Sequence, residues 1–157
     1  ASSGIHILQK KYKASNQFRK KAIAAVYSPK AQLKFGIKGK KIFSSSMDSS
    51  DGLSTTLNQM AKRSNKRFII THMPTSKEVI EFARDNQADP HEIVFNGGEE
   101  YEIVFTISES YISSIKKIAK KLNVHLIEIG YVSRGKGVFV NGEKPKIVND
   151  KGWRHFK

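Results

Sequence analysis

The sequence predicts an α+β domain, a mixed or antiparallel sheet covered by helices. Helix-like and strand-like apolar patterns alternate irregularly, without the regular succession of a parallel βα fold. Residues 110–122 carry a complete helical stripe, with Ile112, Ile115, Ile118, Ala119 and Leu122 on one side and lysines on the other. Near the end, Asn141-Gly142 stands between two short apolar runs, a strong hairpin signal. The 157 residues suit a single domain with a real core.

In chain order, residues 3–27 read as helix: Ile5, Ile7, Leu8, Tyr12, Phe18, Ala22, Ala25 and Val26 recur near helical spacing, with Asn16 a break or cap between two helices. Ser28-Pro29 signals a turn, and residues 31–36 a short helical turn. Residues 41–47, with Ile42, Phe43 and Met47 apolar, read as a buried strand. Ser50 or Asp51 is the expected N-cap of a helix that puts Leu53, Leu57, Met60 and Ala61 on one face and ends at Ser64-Asn65. Residues 67–73 read as a strand. Thr75-Ser76-Lys77-Glu78 has the capping-box pattern and opens a helix carrying Val79, Ile80, Phe82 and Ala83. Asp89-Pro90 reads as punctuation, and residues 92–95 lead into Gly97-Gly98. Residues 101–107 alternate and are β-branched, hence a strand. Residues 124–132 read as another strand, and residues 137–140 and 144–148 as the arms of the hairpin about Asn141-Gly142. No internal repeat or low-complexity linker interrupts the chain.

Composition excludes some classes. The chain has no cysteine, so there is neither a disulfide framework nor thiolate chemistry, which fits a cytoplasmic location. No stretch approaches the roughly 18 apolar residues of a membrane span, and no signal segment opens it. It begins Ala1-Ser2-Ser3-Gly4 and not with methionine, so a processed start or a longer parent is expected. The formal charge is +14, from 28 Lys+Arg against 14 Asp+Glu, which favours phosphate-bearing partners in general. The lysines mostly lie opposite apolar stripes, as on a solvated helix face. No RNP-like aromatic strand or helix-turn-helix signature is present, so nucleic acid is not the expected partner.

Three segments can carry chemistry. In Asp48-Ser49-Ser50-Asp51-Gly52, two carboxylates three residues apart stand where a strand gives way to a helix. That spacing directs both into one crevice beside a helix N-terminus, where hard oxygens can hold Mg²⁺ against a phosphate and free N–H groups favour anions. Ser50 can donate to a phosphate or cap the helix. Gly97-Gly98-Glu99-Glu100-Tyr101-Glu102 joins a flexible turn to three acids able to hydrogen-bond a cationic or amino-bearing heterocycle, or simply to stand solvated. Trp153, the only tryptophan, stands beside Arg154, His155 and Phe156 and can stack on a heterocycle or cover the core. The five histidines show no metal spacing; His72 and His125 fall on expected strands. Arg134-Gly135-Lys136-Gly137 lacks the P-loop pattern and reads as a loop before the hairpin.

Together these segments resemble thiamine-monophosphate kinases, in the superfamily of aminoimidazole ribonucleotide synthetase and selenophosphate synthetase. That family shows an Asp-x-Ser-Asp-Gly segment, then Gly-Gly-Glu-Asp-Tyr-Glu, then a Gly-aromatic-x-His-Phe ending. Asp48–Gly52 and Gly152–Phe156 match the first and last, and the middle matches except that Glu100 replaces Asp. The resemblance covers the chain as a single C-terminal domain, residues 1–157. It implies the C-terminal fold of the aminoimidazole ribonucleotide synthetase-like proteins and a part in ATP-dependent formation of thiamine diphosphate from thiamine monophosphate. It also implies Asp48 and Asp51 as Mg²⁺ ligands, Ser50 at ATP, and Glu99 and Trp153 at the substrate. A nucleotide-binding N-terminal domain of the same protein, which forms the family's homodimer, is implied as partner, so the chain alone is expected not to turn over. The alternative reading is a basic nucleic-acid-binding or non-catalytic interaction domain.

Overall fold

The computed structural model describes residues 1–152. Two helices open the chain, α1 (Ser2–Lys10) and α2 (Asn16–Tyr27). Lys11, in the left-handed region at φ 55°, ends α1, and the Ser15 hydroxyl caps α2 by accepting from the Phe18 N–H. The helices cross so closely at Gly4 that an added Cβ would overlap the Ala22 carbonyl oxygen. A third helix, α3 (Leu33–Gly39), leads into strand β1 (Ser45–Asp48). Helix α4 (Leu53–Ser64) follows, closed by Asn65 in the left-handed conformation.

Strand β2 (Arg67–Ile70), helices α5 (Lys77–Asp85) and α6 (Pro90–Asn96), and strand β3 (Ile103–Thr106) come next. A 3₁₀ turn at Glu109–Tyr111 runs into α7 (Ile112–Leu122), and the chain ends with β4 (Gly130–Ser133), β5 (Gly137–Val140) and β6 (Lys146–Ile147).

The strands form two sheets. One is the antiparallel pair β1–β3, which sets Asp48 opposite Ile103. The other runs β4-β2-β5-β6, with β2 antiparallel to β4 and parallel to β5. Strand β2 therefore sits between β4 and β5, two strands that are consecutive in sequence.

Three apolar clusters hold these layers. Leu53, Leu57, Met60 and Ala61 of α4 pack on Phe68, Ile70 and Val138 of the larger sheet and on Phe95 of α6. Ile7, Ala22, Phe82, Ala83 and Ile93 join α1, α2, α5 and α6. Phe35, Ile115 and Ala119 set α3 and α7 against the small sheet, where Phe43 and Phe105 stack at 4.5 Å. Burial of one such side chain contributes about 1.5–3 kcal/mol.

The α+β expectation and the mixed sheet hold. Several boundaries move. Residues 41–44 are turn and bend, because Phe43 folds back over Gly39 and packs with Phe35 and Phe105; the strand starts only at Ser45. Helix α4 is capped at Gly52, φ 102°, and not at Ser50 or Asp51, which form a turn before it. Residues 71–73 leave the ladder after Ile70. Asp89-Pro90 opens a helix: the Asp89 side chain accepts from the His91 N–H, and Pro90 takes the first helical position. Residues 124–129 form no ladder; Val124 and Leu126 pack with α7's cluster and Ile129 with that of α4. The final hairpin turns over residues 141–145, since Val140 pairs with Lys146. His72 and His125 are exposed and outside strands. Among the described residues no helix is long and apolar enough to cross a membrane.

Candidate functional site

Asp48 is the last residue of β1, fixed by its pairing with Ile103 and by the Thr56 hydroxyl, which donates to its carbonyl oxygen at 2.9 Å. Its carboxylate accepts the Ser50 N–H at 3.3 Å. The Ser50 side chain's hydrogen bond, more than the partial burial that opposes it, holds the Asp48 carboxyl below its ordinary pKa. Ser49 is buried beneath, its N–H donating to the Glu102 carbonyl at 3.0 Å. The turn then reverses through Gly52, and α4 starts at Leu53 with no side-chain cap.

The Gly97-Gly98 segment lies across this turn. The Glu99 N–H donates to the Ser50 carbonyl at 2.7 Å. A Cβ on Gly98 would stand 2.8 Å from that same oxygen, and one on Gly52 3.1 Å from the Gly97 oxygen. The two glycine segments are thus matched surfaces.

Beyond them the backbone is left-handed at Glu99 (φ 64°) and Tyr101 (φ 53°), a conformation that costs a non-glycine residue about 1–2 kcal/mol. The Tyr101 hydroxyl donates to Glu99 Oε2 at 2.6 Å. That hydrogen bond first, then the Glu99 charge, and more weakly Asp48 and Asp51, push the Tyr101 phenol pKa upward. Tyr101 therefore sits in the field of three carboxylates.

Asp48, Ser50 and Asp51 line one cavity of about 110 Å³ with Thr55, Thr56 and Gln59. Glu99 is not in its wall; it approaches through Tyr101. Neither Asp48 nor Asp51 is in an ion pair among the described residues. No group of three His, Asp or Glu side chains among those residues can hold a metal by itself. Two free carboxylates in one polar cavity suit Mg²⁺, which is usually bound by one or two carboxylates with waters and substrate phosphates completing its shell.

The other acids of the segment do different work. Glu100 accepts from the Ala1 nitrogen at 2.9 Å and the Ser2 N–H at 2.8 Å, and so holds the start of α1. Glu102 is raised by desolvation and then by the Glu100 charge, against a lowering hydrogen bond from Gln32; its side chain nonetheless keeps an exposed face.

The chain's last described stretch returns to the same place. The Thr55 hydroxyl donates to Asp150 at 2.6 Å, and Asn58 Nδ2 donates to the Val148 carbonyl at 2.8 Å. A Cβ on Gly152 would overlap both Thr55 Oγ1 and the Asp51 carbonyl oxygen. Trp153 itself lies outside the described residues.

The structure thus brings together Asp48, Ser50, Asp51 and Glu99. The sequence reading missed Thr55, Thr56, Tyr101 and Asp150. One signal was available: Ser54-Thr55-Thr56 opens a helix with three consecutive hydroxyls, all of them buried.

No protein-family model matches the chain. Curated relatives do. A thiamine-monophosphate kinase of Nitrosopumilus maritimus is 51% identical over 156 residues, 99% of this chain and 49% of that protein. One of Aquifex aeolicus is 30% identical over 98% of this chain and 47% of its own length. The chain spans about half the length of the curated relatives it matches. Among solved structures, one described as AaThiL complexed with AMPPCP and TMP superposes with a TM-score of 0.80 and 30% identity, over 99% of this chain and 47% of that one. Hydrogenase maturation protein HypE shares the fold alone, at TM-score 0.61 and 16% identity over 94% of this chain and 49% of that one. In sequence and in fold, nearly the whole of this chain matches about half the length of thiamine-monophosphate kinases.

Proposed function

We propose that the chain is the C-terminal half of a cytoplasmic kinase that transfers the terminal phosphoryl group of ATP to thiamine monophosphate, giving thiamine diphosphate. The observation that carries this reading is the pair Asp48 and Asp51, free of ion pairs among the described residues, in one cavity beside the uncapped start of α4. The relationship to thiamine-monophosphate kinases, and the related protein described with AMPPCP and TMP bound, supply the substrates.

In the transfer, the bond from the terminal phosphorus to the bridging oxygen of ATP breaks, and a new one forms to a phosphate oxygen of the acceptor. Such reactions need positioning and charge neutralisation more than covalent help. Asp48 and Asp51 would hold Mg²⁺, which supplies charge neutralisation on the phosphate oxygens. The Ser50 backbone is held by its N–H on the Asp48 carboxylate and by the Glu99 N–H on its carbonyl, and its side chain lies beside Asp48, where its hydroxyl would meet ATP. Glu99, oriented by Tyr101, offers a carboxylate to the cationic heterocycle, and Trp153 stacks on it. The remaining nucleotide contacts and the homodimer belong to an N-terminal domain.

Titrating thiamine monophosphate with Mg²⁺ while following Trp153 fluorescence tests the substrate side. A saturable change, lost in Glu99→Ala, is expected. Thiamine diphosphate synthesis by the 157-residue chain alone would refute the assignment of half a site to it.

A further inference from the structure

The larger sheet has a second face, turned away from α4. Phe68, Ile70 and Val138 point inward, so the alternate residues point outward. The pairing places Tyr131 opposite Ile69, Ile69 opposite Phe139, and Phe139 opposite Ile147, a single row across all four strands. Tyr131 is 58% exposed and Ile147 65%. Part of this row, with Arg67, Asn141 and Pro145, lines a hollow of about 240 Å³. The Arg67 guanidinium lies over the Phe139 ring, 5.3 Å from its centre, and a Cβ on Gly135 would stand about 3.0 Å from the same guanidinium.

The rim of this face is cationic. Lys66, Arg67, Arg134, Lys136 and Lys144 are all exposed, and none forms an ion pair among the described residues. The only acid within β4, β5, β6 and their two loops is Glu143, with Glu128 just before β4.

We propose that this outer face binds single-stranded nucleic acid, with a base stacked on the exposed Tyr131 ring, beside the half-buried Phe139 that Arg67 covers, and phosphates met by Arg67 and the rim cations. An exposed aromatic ring on a sheet face with a positive border is a general means of holding an unpaired base. The unpaired cations disfavour a second copy of the chain as the occupant, since self-association would set them against one another. This site is separate from the Asp48 cavity and does not depend on the kinase reading.

The test measures fluorescence anisotropy of a labelled oligouridylate with the 157-residue chain, beside an RNA duplex of equal length and a heparin fragment, a polyanion without bases. Tyr131→Ala removes an exposed ring, and an unchanged thermal melt confirms its fold. It should weaken oligouridylate binding about tenfold, the effect of one lost stacking contact, and leave heparin binding within about twofold. The double substitution Lys120→Gln/Lys121→Gln on α7 should lower both affinities slightly and equally. Equal weakening of heparin and RNA by Tyr131→Ala, preference for the duplex, or no binding at low salt would overturn the proposal. So would concentration-dependent self-association that Tyr131→Ala abolishes, since a second copy would then own this face.

Discussion

Replacing Gly98 by alanine tests whether the two glycine segments are matched as described. The new Cβ would stand 2.8 Å from the Ser50 carbonyl oxygen, where ordinary contact begins at 3.4 Å, so the segments must part by the difference of 0.6 Å. The obstacle is backbone on both sides and cannot rotate away. The opening stretches the 2.7 Å bond from the Glu99 N–H to the same oxygen past useful length, a loss of about 1 kcal/mol. Overpacking strain adds about 1–3 kcal/mol. The expected total is about 3 kcal/mol, or a fall in melting temperature of about 6–12 °C for a chain of this size. Urea unfolding followed by far-UV circular dichroism measures it. Gly142→Ala is the control, because its Cβ would meet nothing nearer than the Lys144 oxygen at 3.9 Å; it should change stability by less than about 0.5 kcal/mol. Indistinguishable midpoints for the two variants would refute the argument that Gly98 is required by close approach.

Other outcomes follow from the same geometry. Because the Ser50 side chain lowers the Asp48 pKa from 3.8, the stability from that carboxylate is present above pH 3.8 and is lost as pH falls through its lower folded value; Asp48→Asn should flatten the acid limb of the stability profile there. In a spectrophotometric titration one tyrosine should ionise above pH 10.0, and Glu99→Gln should bring it down; an unchanged profile would remove Glu99 from Tyr101. The Thr75 hydroxyl is buried without a hydrogen-bond partner among the described residues, so Thr75→Val should stabilise the chain by about 1 kcal/mol in the same urea assay. Thr55→Val should destabilise it by about 1–3 kcal/mol, since it leaves Asp150 without the Thr55 hydroxyl.

How much of this was legible in the sequence varied with the kind of signal. Helix α7 was plain because an amphipathic stripe repeats over three turns, and Asn65 and Asn123 end their helices in the left-handed conformation that asparagine tolerates. Strands were harder. Ile42-Phe43 and the run from Val124 look like strands because burial alone makes a segment apolar; ladder bonds depend on partners that only the tertiary structure supplies. Asp89-Pro90 carried two meanings, turn and helix start, which its neighbours alone did not separate. In the site, Asp48, Ser50, Asp51 and Glu99 were visible as residue types in a pattern. Their convergence was not, because it runs through backbone contacts such as Glu99 to Ser50 and through Tyr101, whose role comes from its place among carboxylates. The aromatic row of the outer sheet face was invisible for the same reason: Ile69, Tyr131, Phe139 and Ile147 meet only once the register is known.

The placing of β2 between β4 and β5 bears on how the molecule assembles. Strands β4 and β5 are joined by only residues 134–136, yet they share no ladder, because an earlier strand fills the space between them. A hairpin that closed on itself first would have to be undone before β2 could enter. Productive folding therefore needs β2 in position early, docked on α4, as the template on which the two later strands are laid from either side. Such an order relies on pairings some 60 to 70 residues apart in sequence, and closing loops of that length slows the search. A peptide spanning residues 128–148 would lack the strand that both its arms pair with, and would stay unfolded by itself.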